Sequence, residues 1–162
     1  MEVLNIHQRK IQVSKERIIE LFSTLATKED KIWPNENWPK MQLKNGLQNG
    51  SKGGHGPIRY QVIEYKPSSS ISFKFQKPEG FNGIHKFEIS ELGLNETQIK
   101  HTIKMKTSSM VATFKWLLAI KWLHDALIED AFDKIQNQLG HKKEKTEWNF
   151  WVKTLRAVMK PR

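Results

Sequence analysis

MVATFKWLLAIKWLHDALIEDAFDKIQNQL, Met110 to Leu139, is the stretch on which the fold turns. It contains neither Gly nor Pro, follows Ser108-Ser109 and ends at Gly140, so it predicts one long helix of roughly eight turns. At about 100° per residue, Met110, Phe114, Leu117, Ile128, Ala131, Phe132, Ile135 and Leu139 align in one apolar stripe. Lys121 and His124 interrupt that stripe from within. Trp116, Ala119, Trp122, Leu123 and Ala126 make the back of the first half apolar too, so a second element is expected to cover it. A helix that needs burial on two sides is a scaffold.

Upstream, the pattern is strand-like. Val3 to Val13 places Val3, Asn5, His7, Arg9, Ile11 and Val13 on one mixed face. Ser14 precedes a helix whose buried side is Ile18, Ile19, Leu21, Phe22 and Leu25. IWPNENWPKM (Ile32 to Met41) is a Trp/Pro loop, and its Trp33 and Trp38 either guard the mouth of a pocket or pin the loop to the core. From Lys40 onward the period is two. GSKGGHGP (Gly50 to Pro57) reads as a turn between strands and fits no phosphate-binding motif. Ile58 to Lys66, Ile71 to Gln76, Ile84 to Ser90 and Thr97 to Lys106 are further strands. With a turn near Gly93, Phe87 is expected opposite Ile99 and His85 opposite His101.

Downstream, His141 to Lys145 is a basic linker, and Lys145 to Lys160 predicts an amphipathic helix with Trp148, Trp151, Val152, Leu155, Val158 and Met159 on one stripe. Its expected place is over Trp116, Ala119 and Trp122. A homodimer contact and a peripheral membrane contact are the other uses such a helix has.

Composition narrows the classes. The 162 residues carry a net charge of +10, with 38% hydrophobic residues, six Trp and no Cys. Disulfides, thiolate metal sites and Cys nucleophiles are excluded. The N-terminal sequence lacks a signal-like apolar run and no segment has the roughly 20 apolar residues of a membrane span, so the cytoplasm is the expected location. The Lys residues are spread over strands and helices without a recognised module, which disfavours specific nucleic-acid binding.

The order strand, helix, short helix (from Thr27 to before Trp33-Pro34), five strands, long C-terminal helix resembles the START-like superfamily, also called SRPBCC or polyketide-cyclase-like. The segments that carry the resemblance are GHGPIRY (Gly54 to Tyr60), EYKP (Glu64 to Pro67), GFNGIHKFEI (Gly80 to Ile89) and HDALIED (His124 to Asp130), which resemble an uncharacterised group within it. The resemblance implies an α+β helix-grip fold: a curled antiparallel sheet of about six strands around the long helix. Residues 1–140 would form that domain, with 141–162 as linker and packed C-terminal helix. It also implies a cavity for a small hydrophobic or lipid-like ligand, with enzymes of cyclase or dehydratase type among the members. It carries over no catalytic residue and no cofactor.

The residues supply their own candidates. His85 and His101 from neighbouring strands, and His124 from the helix, are directed toward the expected cavity. They are either core residues bonded to backbone or water, or polar ligand contacts able to act as acid and base. Three imidazoles also form a possible metal set, but these lack a local spacing motif and a strand carboxylate, so no metal is expected. Phe73, Phe75, Phe87 and Ile103 are the expected apolar wall, and Lys121 a cation on the helix side of it. Lys121 has the competing option of reaching past the helix to solvent.

Overall fold

A computed structural model describes residues 1–140 and 145–159. The basic linker expected at 141–145 and the end of the last helix at Lys160 lie largely outside the described residues. The elements are β1 (Glu2–Ile11), α1 (Lys15–Phe22), β2 (Gln42–Leu43), β3 (Lys52–His55), β4 (Ile58–Lys66), β5 (Ser70–Lys77), β6 (Phe81–Gly93) and β7 (Glu96–Thr107), then α2 (Met110–Lys115), a π-helical turn (Trp116–Ile120), α3 (Lys121–Gln138) and α4 (Phe150–Met159). All seven strands form one antiparallel sheet in the order β1-β7-β6-β5-β4-β3-β2, with the long helix against it. This is the expected helix-grip architecture, except that the short helix expected from Thr27 is a run of turns.

The sheet has one strand more than the sequence suggested, because Lys52–His55 pairs with β2 and β4 instead of forming a loop. Its glycines are there for closeness. A Cβ on Gly53 would lie 1.9 Å from the Gln42 carbonyl oxygen, and one on Gly54 2.0 Å from that of Ile58.

The β6–β7 register also differs. Phe87 faces His101 and His85 faces Ile103, while Ile89 takes the place opposite Ile99. Pairing continues to Gly93–Glu96, so the turn is at Leu94-Asn95, one residue later than expected. The offset is two residues in register, which preserves parity. Phe87, His85, His101 and Ile103 therefore still point inward.

The helix is continuous but not of one phase. Lys121 N–H donates to the Trp116 carbonyl five residues back, and this π turn inserts one residue into the helical repeat. The stripe read at a constant 100° holds in α3, where Ile128, Ala131, Phe132 and Ile135 are buried. It fails before the π turn: Met110, Phe114 and Leu117 are 75%, 53% and 43% exposed, while Trp116, expected on the back, is 3% exposed. One extra residue turns the first half by about 100° relative to the second. The inward file is then Ala112, Trp116, Ile120, His124 and Ile128, at intervals of four. Ala112 and Trp116 build a satellite core with Val3, Phe81, Ile103 and Met105. The main core gathers Ile18, Phe22, Phe73, Phe87, Ile128, Phe132 and their neighbours.

The last helix starts later than expected and goes elsewhere. Trp122 stays 38% exposed, and α4 docks on α3 and the Trp38 loop through buried Val152. Trp151 reaches the π turn, donating its indole N–H to the Leu118 carbonyl at 2.8 Å. Among the described residues no helix is long and apolar enough to cross a membrane.

Candidate functional site

Between sheet and long helix lies a cavity of about 120 Å³ with an almost wholly apolar wall. Phe75, His85, His101 and Ile103 come from the strands, and Trp116, Ile120, His124 and Ile128 from the helix. Trp33, Trp38 and Pro39 from the loop, with Arg156 and Met159 from α4, bound its other end. Two of the expected apolar residues stand one layer back: Phe73 stacks on the His85 ring at 4.6 Å between centroids, and Phe87 packs edge-on against His101 at 4.4 Å. Lys121 is not on the wall. Its ammonium donates to Asp125 at 2.6 Å and lies 5.1 Å from the Trp122 ring, at the helix side.

Histidine dominates the polar part. His85 Nδ1 and His101 Nε2 are 3.4 Å apart, and the His101 and His124 rings are 4.9 Å apart. His85 and His101 are 6% and 1% exposed. Burial disfavours the imidazolium most, and the mutual repulsion of neighbouring imidazoles adds to it, so both are held neutral well below the usual histidine range. His124 is lowered by burial against a partial offset from Asp125. Four ring nitrogens, His85 Nε2, His101 Nδ1 and both of His124, are buried without a hydrogen-bond partner among the described residues. Buried polar atoms are nearly always satisfied, so such a cluster in one apolar wall calls for an explanation.

A fourth cavity histidine, His55, escaped the sequence reading because its strand looked like a loop. Its Nδ1 is 3.2 Å from the Tyr60 hydroxyl and its ring lies against Trp33. Burial above all, with the charges of His124 and Arg59, lowers it to about 3. Trp116, Arg156 and Met159 were missed for related reasons: a shifted helical phase and a misplaced α4.

The mouth is held by a clamp. Trp38 and Trp148 donate their indole N–H groups to Asp130 at 2.7 and 3.1 Å, with their rings 5.3 Å apart. The Arg156 guanidinium sits 4.7 Å over the Trp38 ring and donates to the Asn37 carbonyl at 2.5 Å. The helix α4 thus closes the loop onto α3 at one end of the cavity.

Alongside the cavity runs a polar seam between β1 and α3. Strand residues two apart rise about 6.8 Å and helix residues four apart about 6.0 Å, so Asn5, His7 and Arg9 match Asp125, Glu129 and Asp133 rung for rung. Asn5 Nδ2 donates to Asp125 at 2.9 Å; His7 lies between Asp125 (3.0 Å) and Glu129 (2.7 Å); Arg9 bridges Glu129 and Asp133 at 2.5 Å each. Burial opposes charge on His7, but the two carboxylates outweigh it and raise the ring to about 9. This seam explains the mixed inner face of β1, and it is why His7 is not on the cavity wall.

No protein-family model matches the chain, and no curated protein matches it in sequence. Solved structures do match in fold. Norcoclaurine synthase from Thalictrum flavum, in complex with dopamine and hydroxybenzaldehyde, superposes with a TM-score of 0.64 at 14% identity over 89% of this chain and 90% of that one. A solution structure from Thermobifida fusca gives 0.65 at 10% identity over 88% and 99%, and XoxI from Bacillus cereus 0.61 at 14% over 86% and 99%. The curled seven-stranded sheet around a long C-terminal helix is a helix-grip fold.

Proposed function

We propose that the protein binds a small, largely apolar molecule between sheet and long helix, with the histidine nitrogens taking its polar group. The observation that carries this is the set of partnerless buried nitrogens on His85, His101 and His124 in one apolar wall. A hydroxyl or carbonyl on the ligand would satisfy them; neutral imidazole offers one donor and one acceptor. Size narrows the class. A cavity of about 120 Å³ is close to the ~150 Å³ that admits benzene and well below the roughly 300–1,000 Å³ of drug-sized sites. A single-ring phenol or aldehyde fits better than a long-chain lipid, and norcoclaurine synthase, of similar fold, holds ligands of one ring.

The test uses the indoles of Trp33, Trp38 and Trp116 on the wall as reporters. Saturable fluorescence quenching by hydroxybenzaldehyde or cresol is expected, weakened at least tenfold in His101→Ala. Saturation by fatty acids but not by single rings would refute the size argument, and no saturable binding of either would refute the whole reading.

A second reading, an enzyme of cyclase or dehydratase type, is favoured by the His85–His101 contact of 3.4 Å. Two neutral imidazoles at that distance can pass a proton between a bound ligand and each other. Under this reading an enolisable ligand exchanges its α-hydrogens for deuterium when bound, and His85→Ala binds it without exchange. Equal exchange in both proteins leaves the histidines as binding groups only.

A further inference from the structure

We infer that His7, His124 and Asp125 form a divalent transition-metal site on the cavity side of the β1–α3 seam. Their ligand atoms all lie within 4.8 Å of one another. Tetrahedral nitrogen and oxygen ligands at 2.0–2.2 Å stand about 3.4 Å apart. Here His7 Nε2 is 3.0 Å and His124 Nδ1 3.7 Å from the same oxygen, Asp125 Oδ1, which brackets that spacing.

Three further features suit a cation. The other nitrogen of His7 is bonded to Glu129 Oε1 at 2.7 Å, the outer carboxylate contact that fixes the tautomer and orientation of metal-binding histidines. Both nitrogens of His124 are buried and bonded to nothing among the described residues, so ligation through Nδ1 would give that nitrogen a partner without breaking a hydrogen bond, and would leave Nε2 for the cavity. The Asn5 side-chain oxygen, on the residue whose amide holds Asp125 Oδ1, is likewise buried and without a partner among the described residues.

Charge does not oppose the site. Asp125, Glu129 and Asp133 face Lys121 and Arg9, and a metal would replace the proton between His7 Nε2 and Asp125 Oδ1. Two imidazoles and one carboxylate select zinc, cobalt, nickel or iron(II) over magnesium and calcium. Because His124 also lines the cavity, the ion would lie at the edge of the space where a ligand sits. The inference concerns metal binding alone and does not depend on the single-ring reading above.

The experiment is titration of chelator-treated full-length protein with Co²⁺ and Zn²⁺. The expected result is one ion per chain, a visible cobalt absorption of low-symmetry four- or five-coordinate type, and displacement by Zn²⁺. His124→Ala is the decisive variant, since among the described residues that side chain makes no hydrogen bond whose loss would disturb the fold. It should weaken Co²⁺ binding at least tenfold, and Glu129→Gln by about 10–100-fold. His101→Phe, with its ring one position further into the cavity, should bind Co²⁺ as the parent does. Absence of stoichiometric binding, or binding unchanged in His124→Ala, overturns the assignment.

Discussion

Histidine stands on both sides of α3 in opposite circumstances. On the seam side His7 has a carboxylate at each nitrogen and is raised to about 9. On the cavity side His85 and His101 have aromatic rings around them and nitrogens left over, and His55 is lowered to about 3. The same side chain is thus a structural cation in one place and a neutral, unsatisfied group less than a helix diameter away. The difference teaches where stability and function separate. The seam has every charged rung paired and holds the sheet to the helix, whereas the cavity leaves polar atoms unpaired where a ligand would meet them.

The largest expected effect comes from breaking the seam. Arg9 bridges Glu129 and Asp133, and its removal leaves Glu129 with His7 as its charged partner and Asp133, 8% exposed, with the Thr146 N–H but no guanidinium. Breaking a buried pair costs about 3–5 kcal/mol; since Arg9 and Glu129 are partly exposed, Arg9→Ala should cost roughly 2–4 kcal/mol in urea unfolding. A loss below 0.5 kcal/mol would show that the seam decorates the interface without holding it.

Next comes the clamp at the mouth. Trp148→Ala removes a ring packed on Trp38 and one donor to Asp130, and should cost about 2 kcal/mol. It should also speed the release of any quenching ligand, measured by stopped-flow. Faster release with unchanged stability would make α4 a lid only, whereas lost stability with unchanged release would make it packing only.

How much of this was legible in the sequence follows the range of the interactions. Alternation in β6 and β7 is local, so the inward direction of His85, Phe87, His101 and Ile103 could be read, and a register offset of two left it intact. The seam could not, because Asn5, His7 and Arg9 meet partners about 120 residues away, and a mixed strand face does not say what it faces. The π turn defeated the helical phase: a constant 100° per residue placed Met110, Phe114 and Leu117 inside and Trp116 outside, and the structure reverses both. His55 was hidden by Gly53 and Gly54, residues that favour loops except where, as here, two backbones approach too closely for a side chain.

Acid should expose the third difference. A histidine whose folded pKa is depressed leaves the unfolded state binding more protons below 6.5, so its contribution is intact above that pH and is lost as pH falls from about 6.5 toward 3. For His55 alone the loss at pH 5 is about 1–2 kcal/mol, and His85 and His101 shift in the same direction. Stability should therefore fall between pH 7 and pH 5, and fall less in His55→Phe. Parallel pH profiles for the parent and His55→Phe would mean that this ring stays solvated.

The smallest effect on stability is the most informative. Among the described residues His101, 1% exposed, is bonded only to another imidazole and has one nitrogen without a partner. If the cavity is a packed core with an accidental histidine, replacing it by Phe fills the same space without a polar atom to desolvate. The expected change is within about 1 kcal/mol and can be stabilising, because removing an unsatisfied buried group relieves its desolvation cost. The seam behaves in the opposite way: His7→Phe would take one charged partner from each of Asp125 and Glu129, leaving them to Lys121, Asn5 and Arg9, and should destabilise. Set beside each other in thermal unfolding, His101→Phe and His7→Phe should move in opposite directions or differ by at least about 2 kcal/mol. His101→Phe must also lose single-ring quenching while it keeps its fold. A variant that gains stability and loses binding identifies a group retained for a ligand, whereas one that loses stability as His7→Phe does would put His101 among the structural residues and dissolve the contrast between the two sides of the helix.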